Sequence, residues 1–149
     1  MSSPHVIAVL DTSKETTSVL SAAIERAGYR VAKAFTHEIR DGEVDIEPFM
    51  AEHRPTAVVY DVGIPYEANW QLFEAVRSHP ATHGVPFVIT CVNVDQVRKF
   101  AGPDEEIIEI AGDSYDLRRV VRAIDHGIDR SMSRKAQEKS RNGQGDVAP

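Results

Sequence analysis

Two aspartates stand at the ends of short apolar runs. HVIAVL (residues 5–10) leads into Asp11, and AVVY (57–60) leads into Asp61, with Gly63 and Pro65 close behind. A buried strand gains nothing from an acid at its tip unless the acid is paired, coordinated or used. Two such acids side by side, with no basic residue near them in sequence, would repel, and one would keep its proton. A hard divalent cation relieves that repulsion, and oxygen ligands with open water positions suit Mg2+. A metal held this way can bring a phosphoryl group to a carboxylate, which attacks as a nucleophile while the metal neutralises the phosphoryl oxygens. Asp61 would then become an acyl phosphate. The plainer reading is that both aspartates cap the turns that follow them.

Whether the two acids meet depends on the elements that carry them. Residues 5–10 suit a buried parallel strand. Val19, Leu20, Ala23, Ile24 and Ala27 recur at helical spacing after Ser13, a good N-cap, and before Gly28, a good helix stop. Residues 29–34 alternate as a strand near a sheet edge. The polar stretch 36–45 reads as a loop. Residues 47–53 form a short helix with Phe49 and Met50 inward, ended by Arg54-Pro55. Residues 57–60 are the central strand. Residues 69–78 are amphipathic, with Leu72, Phe73 and Val76 on one face and His79-Pro80 as the stop. A strand over 86–92, a short helix over 93–101 capped by Asn93, and a strand over 106–110 follow. Residues 113–130 make a long helix with Leu117, Val120, Val121, Ile124 and Ile128 inward. Residues 131–149 turn polar and lose periodicity, so a helix extension is expected to fade into a disordered tail, leaving a domain of residues 1–130.

A β-α unit repeated five times predicts an α/β domain, a parallel sheet with helices on both faces. Ligands of such sheets sit beyond the carboxyl ends of the strands. In the doubly wound order 2-1-3-4-5 the first and third strands are neighbours at the switch point, which brings Asp11 to Asp61.

Composition narrows the class of function. The chain has 149 residues and a net charge of −6, so one soluble domain is expected and a nucleic-acid surface is not. No apolar run approaches the ~20 residues of a membrane span, and the N-terminus lacks the basic flank and apolar core of a secretory signal. Cys91 stands alone, so no disulfide framework or cysteine metal knot is expected. The six histidines show no ligand spacing. No glycine-rich phosphate loop, H-E-x-x-H or G-x-S-x-G occurs. A cytoplasmic protein that is not an enzyme is the expectation.

The motif Asp61-Val-Gly-Ile-Pro65 followed by a helix resembles the D-x-x-x-P phosphoacceptor turn of response-regulator receiver domains in two-component signalling. Val9-Leu10-Asp11, with its helix ending in Ala27-Gly28-Tyr29, is similar to that family's first β-α unit, and SHPATHGVPFVIT (78–90) is similar to its third-helix to fourth-strand connection. The resemblance covers about residues 5–130. It implies a flavodoxin-like (βα)5 fold, Asp61 as phosphoacceptor, and Asp11, Asp61 and the Gly63 carbonyl as Mg2+ ligands. Glycine is harmless at 63 on this reading, since only its carbonyl acts.

Three positions depart from the family pattern. The second acid after the first strand is Thr12, which brings no charge. The switch hydroxyl at the end of strand four falls on Cys91 by spacing from Asp61, or on Thr90 if the loop is one residue shorter. The lysine that ends strand five is replaced by Ile110, and no proline follows it. A charge-assisted bond to phosphate is worth about 1.5–3 kcal/mol, so its loss weakens read-out more than acceptance. The pattern is similar to atypical or pseudo-receivers. It implies a stand-alone regulator acting by protein contact, with a histidine kinase or other signalling protein as partner. By analogy, a partner or second copy would meet the face of helix 93–101, strand 106–110 and helix 113–130, with Ile107 and Val121 as contacts. A conventional phosphorylatable regulator is the first alternative. A small-ligand or enzymatic domain, holding an anion at Thr12 and Ser13, is the second.

Overall fold

A computed structural model describes residues 5–110 and 114–145, with side chains described over 5–110 and 116–141. The strands are β1 (Val6–Asp11), β2 (Arg30–Phe35), β3 (Ala57–Val62), β4 (Phe87–Cys91) and β5 (Ile107–Glu109). All pair in parallel, in the order β2-β1-β3-β4-β5. The helices are α1 (Lys14–Arg26), α2 (Thr36–Arg40), α3 (Ile46–His53), α4 (Tyr66–Arg77), α5 (Val94–Val97) and α6 (Ser114–Gly145), with one 3-10 turn at Pro80–Thr82. This is the expected doubly wound, flavodoxin-like sheet.

Strand alternation divides the core in two. Ala8, Leu10, Val58, Tyr60, Val62, Ile89 and Cys91 face α3, α4 and α5, where they meet Phe49, Met50, Trp70, Phe73, Val76 and Val97. Ile7, Val9, Ala57, Val59, Val88 and Ile108 face α1 and α6, against Leu20, Ile24, Val120, Ile124 and Ile128. Both faces of β3 are therefore buried, which explains its unbroken apolar sequence.

The local signals act as their chemistry requires. Ser13 Oγ accepts from the Thr16 amide at 3.3 Å and starts α1. Gly28 ends that segment at φ +100°, a conformation glycine adopts without a Cβ clash. Arg54 takes φ 45° directly before Pro55 and closes α3.

Two expectations are corrected. The polar stretch after β2 is not all loop, because Thr36–Arg40 is helical. The Glu38 carboxylate accepts from the Phe35 amide at 2.9 Å, holding the first turn, while Thr36 and Ile39 turn inward. The helix extension expected past Arg130 does not fade early into the tail but runs to Gly145. Residues 134–139 (RKAQEK) are strong helix formers, and Arg134 and Glu138 stand four apart with opposite charge. Residues 146–149 of the expected tail lie outside the described residues. Among the described residues no helix is long and apolar enough to cross a membrane.

Candidate functional site

The face of the sheet that meets α1 and α6 ends, at the carboxyl tips of its strands, in polar groups. Asp11 continues Ile7 and Val9, Asp61 continues Ala57 and Val59, and Thr90 continues Val88. The β1–β3 register pairs Leu10 with Tyr60, which sets Asp11 beside Asp61. The β3–β4 register pairs Asp61 with Thr90. All three side chains are buried, Asp11 and Thr90 fully and Asp61 to 5 % exposure.

Thr90 Oγ1 donates to Asp61 Oδ1 at 2.7 Å. Of the two residues left open at this position, Thr90 is therefore the one on the acid's face. Cys91 points to the opposite side, into the core with Val62, and burial pushes its thiol up to about 11. Asp11 Oδ1 accepts from the Ser13 amide at 3.0 Å, so the capping role is real for this residue. Its other oxygen, Oδ2, is buried without a partner. Burial, then the neighbouring charge of Asp11, raises the Asp61 carboxyl to about 7, against the lowering effect of the Thr90 bond. Burial raises Asp11 as well.

The donor set can be tested against a hard divalent cation. An orphaned carboxylate oxygen next to a second buried carboxyl is the arrangement such an ion completes. The Gly63 carbonyl accepts from Asn69 Nδ2 at 2.7 Å, and a carbonyl oxygen has a second lone pair for another partner. No group of three or more His, Cys, Asp or Glu side chains stands together among the described residues. The residues fit an ion that keeps several waters, held by two carboxylates rather than three.

Asn69 was not foreseen. It is 3 % exposed and lies on the apolar stripe of α4, four residues before Phe73 and seven before Val76. A polar residue in phase with an apolar stripe is the signal that would have marked it. Gly63 also needs a new account. A Cβ built there would lie 2.2 Å from Thr12 Oγ1 and 3.4 Å from Thr12 Cβ. The glycine is what lets Thr12 lie across the loop. Gly63→Ala is expected to cost about 1–3 kcal/mol of stability. Adding Thr12→Ala should recover most of that loss, because only the hydroxyl clashes. Urea unfolding followed by the fluorescence of Trp70, the sole tryptophan, measures both. Equal losses in the single and double variants would refute the contact.

Ile110 sits one residue past β5, its amide donating to the Cys91 carbonyl at 2.8 Å. It packs on the α1–α6 cluster, in phase with Ile108, on the face that carries Asp61. An apolar side chain thus occupies the place where the resemblance puts a lysine. Ile107 is corrected as a contact residue: it is 8 % exposed and packs toward α3–α5. Val121 is half-buried, on the wall of an α1–α6 groove.

No family model matches the chain, and no curated protein does. Solved structures match over most of its length. A sensor protein from Polaromonas sp. JS666 is 14 % identical with TM-score 0.66, covering 85 % of this chain and 98 % of that one. A CheY-like response regulator receiver domain protein from Methanospirillum hungatei JF-1 is 18 % identical with TM-score 0.63, covering 89 % and 99 %. A chemotaxis response regulator of Vibrio cholerae is 16 % identical with TM-score 0.58, covering 82 % and 99 %. The likeness is one of fold: five parallel strands in the receiver order, with helices on both sides.

Proposed function

We propose that this chain is a receiver-type signalling protein rather than an enzyme, acting by protein contact, with Asp61 as acceptor of a phosphoryl group and a weakened read-out of it. The observation that carries the reading is the meeting of Asp11, Asp61 and Thr90 on one face of the sheet, with Ile110 in the place of a cation. An Asp61 carboxylate oxygen attacks phosphorus, the bond to the donor's leaving group breaks, and an acyl phosphate results. Asp11, Asp61 and the Gly63 carbonyl would hold Mg2+, which when bound neutralises charge on the phosphoryl oxygens. The Thr90 hydroxyl, already directed at Asp61, would turn its donated bond to a phosphoryl oxygen. Nothing cationic at residue 110 would follow, so little of the change would reach the surface.

The conventional alternative, a regulator fully switched by phosphate, draws support from that same 2.7 Å Thr90 bond. Incubation with acetyl phosphate and Mg2+ tests both readings by intact mass. The wild type is expected to gain one phosphoryl group, and Asp61→Asn none. Hydrogen exchange over β4, α5 and β5 is expected to change little on phosphorylation. A large change there would favour the conventional regulator. No mass gain at all would remove Asp61 as acceptor. A histidine kinase is the expected donor in the cell, and a signalling protein the expected partner.

A further inference from the structure

The amino end of the sheet gathers arginine in a chain whose net charge is −6. A cavity of about 450 Å³ opens there, where the 3-10 turn and the start of β4 meet α6. Arg77, Arg130, Arg134 and His83 line it, and no acid does. Pro86 and Phe87 give it an apolar wall.

Gly127 sets the spacing. A Cβ there would lie 3.1 Å from Pro86 Cβ, so the glycine lets α6 pass close over the start of β4. Glycine inside a helix is destabilising relative to alanine, and here it allows the approach that carries Arg130 and Arg134 over the loop before β4. Ser131 Oγ, donating to the Gly84 carbonyl at 3.3 Å, ties the helix to that loop. Arg77 reaches the same space from the end of α4. Its guanidinium is fixed by the two bonds to Glu105 and by the Phe73 ring. Those bonds use two of its five N–H donors and leave three. Glu105 also offsets its charge, so the field in the cavity comes from Arg130 and Arg134. These two stand four apart on α6, where like charges oppose each other. Neither reaches a carboxylate among the described residues.

We infer that this cavity binds a small phosphate monoester with a compact apolar body. Guanidinium groups from two helices offer paired donors to more than two oxygens, and a phosphate presents three where a carboxylate presents two. A dianion between Arg130 and Arg134 relieves their repulsion and takes the donors that Arg77 has spare. Arg77 is already held in place, which lowers the cost of binding. The volume lies in the range of small-molecule sites, about 300–1,000 Å³. A bare phosphate would leave much of it empty, and the Pro86–Phe87 wall suits an apolar body there. The cavity is at the opposite end of the sheet from Asp61. Phe87 begins β4, and Thr90, which holds Asp61, lies three residues or about 10 Å further along the strand. The inference therefore stands apart from any role of Asp61.

Amide NMR of the isotope-labelled full chain tests it, in buffer without Mg2+ and with chloride holding the ionic strength constant. Inorganic phosphate is expected to give saturating shifts at Gly84, Val85, Phe87 and Gly127, with a dissociation constant of about 1–5 mM. Phenyl phosphate should bind at least about threefold more tightly, because its ring is buried as well. Arg130→Gln with Arg134→Gln changes two exposed side chains and leaves the core untouched. It should weaken both ligands at least about tenfold. Asp61→Asn should bind them as the wild type does. Shifts that fail to saturate by about 20 mM, that chloride alone reproduces, or that persist unchanged in the double variant overturn the inference. So does phenyl phosphate binding no more tightly than inorganic phosphate. Heparin shifting these amides where phosphate does not would overturn it too, by assigning the arginines to a polyanion.

Discussion

Asp61→Asn is expected to stabilise the fold at about pH 8 by on the order of 2–4 kcal/mol, with the gain vanishing toward pH 4. In the folded chain the Asp61 carboxyl is raised to about 7, first by burial and then by the charge of Asp11. In the unfolded chain an aspartate titrates near 3.9. Between those values the folded state holds a proton that the unfolded state has released. The unfolded state binds fewer protons there, so stability falls as pH rises through the window. Below about pH 4 both states are protonated and the penalty is absent. Above about pH 7 the folded state must carry a buried charge beside Asp11, and the penalty is complete.

Asparagine copies the protonated acid. Its carbonyl oxygen still accepts from Thr90 Oγ1, which stands 2.7 Å from Asp61 Oδ1, and no charge is buried. Mg2+ should stabilise the wild type at about pH 8 and do so less for the variant, since an ion that binds only the folded state adds stability in proportion to its affinity. Urea unfolding at about pH 8 and pH 5, with and without Mg2+, measures all of this. A variant less stable than the wild type at the higher pH would show that the two acids do not repel. An equal gain at both values would place its cause outside ionisation.

The sheet was legible because parallel strands buried on both faces leave unmistakable apolar runs, as at 57–60, and because the first and third runs lead straight into an acid. From that order the meeting of Asp11 and Asp61 followed. The choice between Thr90 and Cys91 did not. Alternation says that neighbours face opposite ways, but which one shares the acid's face depends on the β3–β4 register, and the long connection between those strands hides it. Asn69 and Thr36 were hidden by their polarity. Both are buried groups held by tertiary context, which a pattern of apolar residues does not record. An extension of α6 was expected, but not its reach to Gly145, for a related reason. Its helicity rests on propensity and paired charge rather than on an apolar stripe, so periodicity could not reveal it.

Phe73→Ala is expected to cost about 3–5 kcal/mol, a large part of the 5–15 kcal/mol that holds a domain folded. The Phe73 side chain is fully buried. Its ring meets Tyr60 edge-on at 5.1 Å between centroids, Phe87 edge-on at 5.8 Å and Trp70 at 4.8 Å. The Arg77 guanidinium lies 4.6 Å from its centroid, and the same group makes two bonds to Glu105, at 3.1 and 2.8 Å. Removing the ring leaves a cavity under α4 and strips one face from each of these partners. Phe73→Leu should cost much less, about 1–1.5 kcal/mol, because most of the volume stays. The damage should also reach the site. Asn69 lies one turn before Phe73 on the same face of α4 and holds the Gly63 carbonyl. A loosened α4 therefore loosens the turn after Asp61. Amide exchange at Gly63, Ile64 and Tyr66 should quicken in Phe73→Ala well before global unfolding, while exchange in β1 and β2 should follow the global loss alone. If both regions quicken together, α4 and the acceptor turn are not mechanically linked. If stability falls by less than about 1 kcal/mol, the aromatic cluster is not the packing centre of this half of the core.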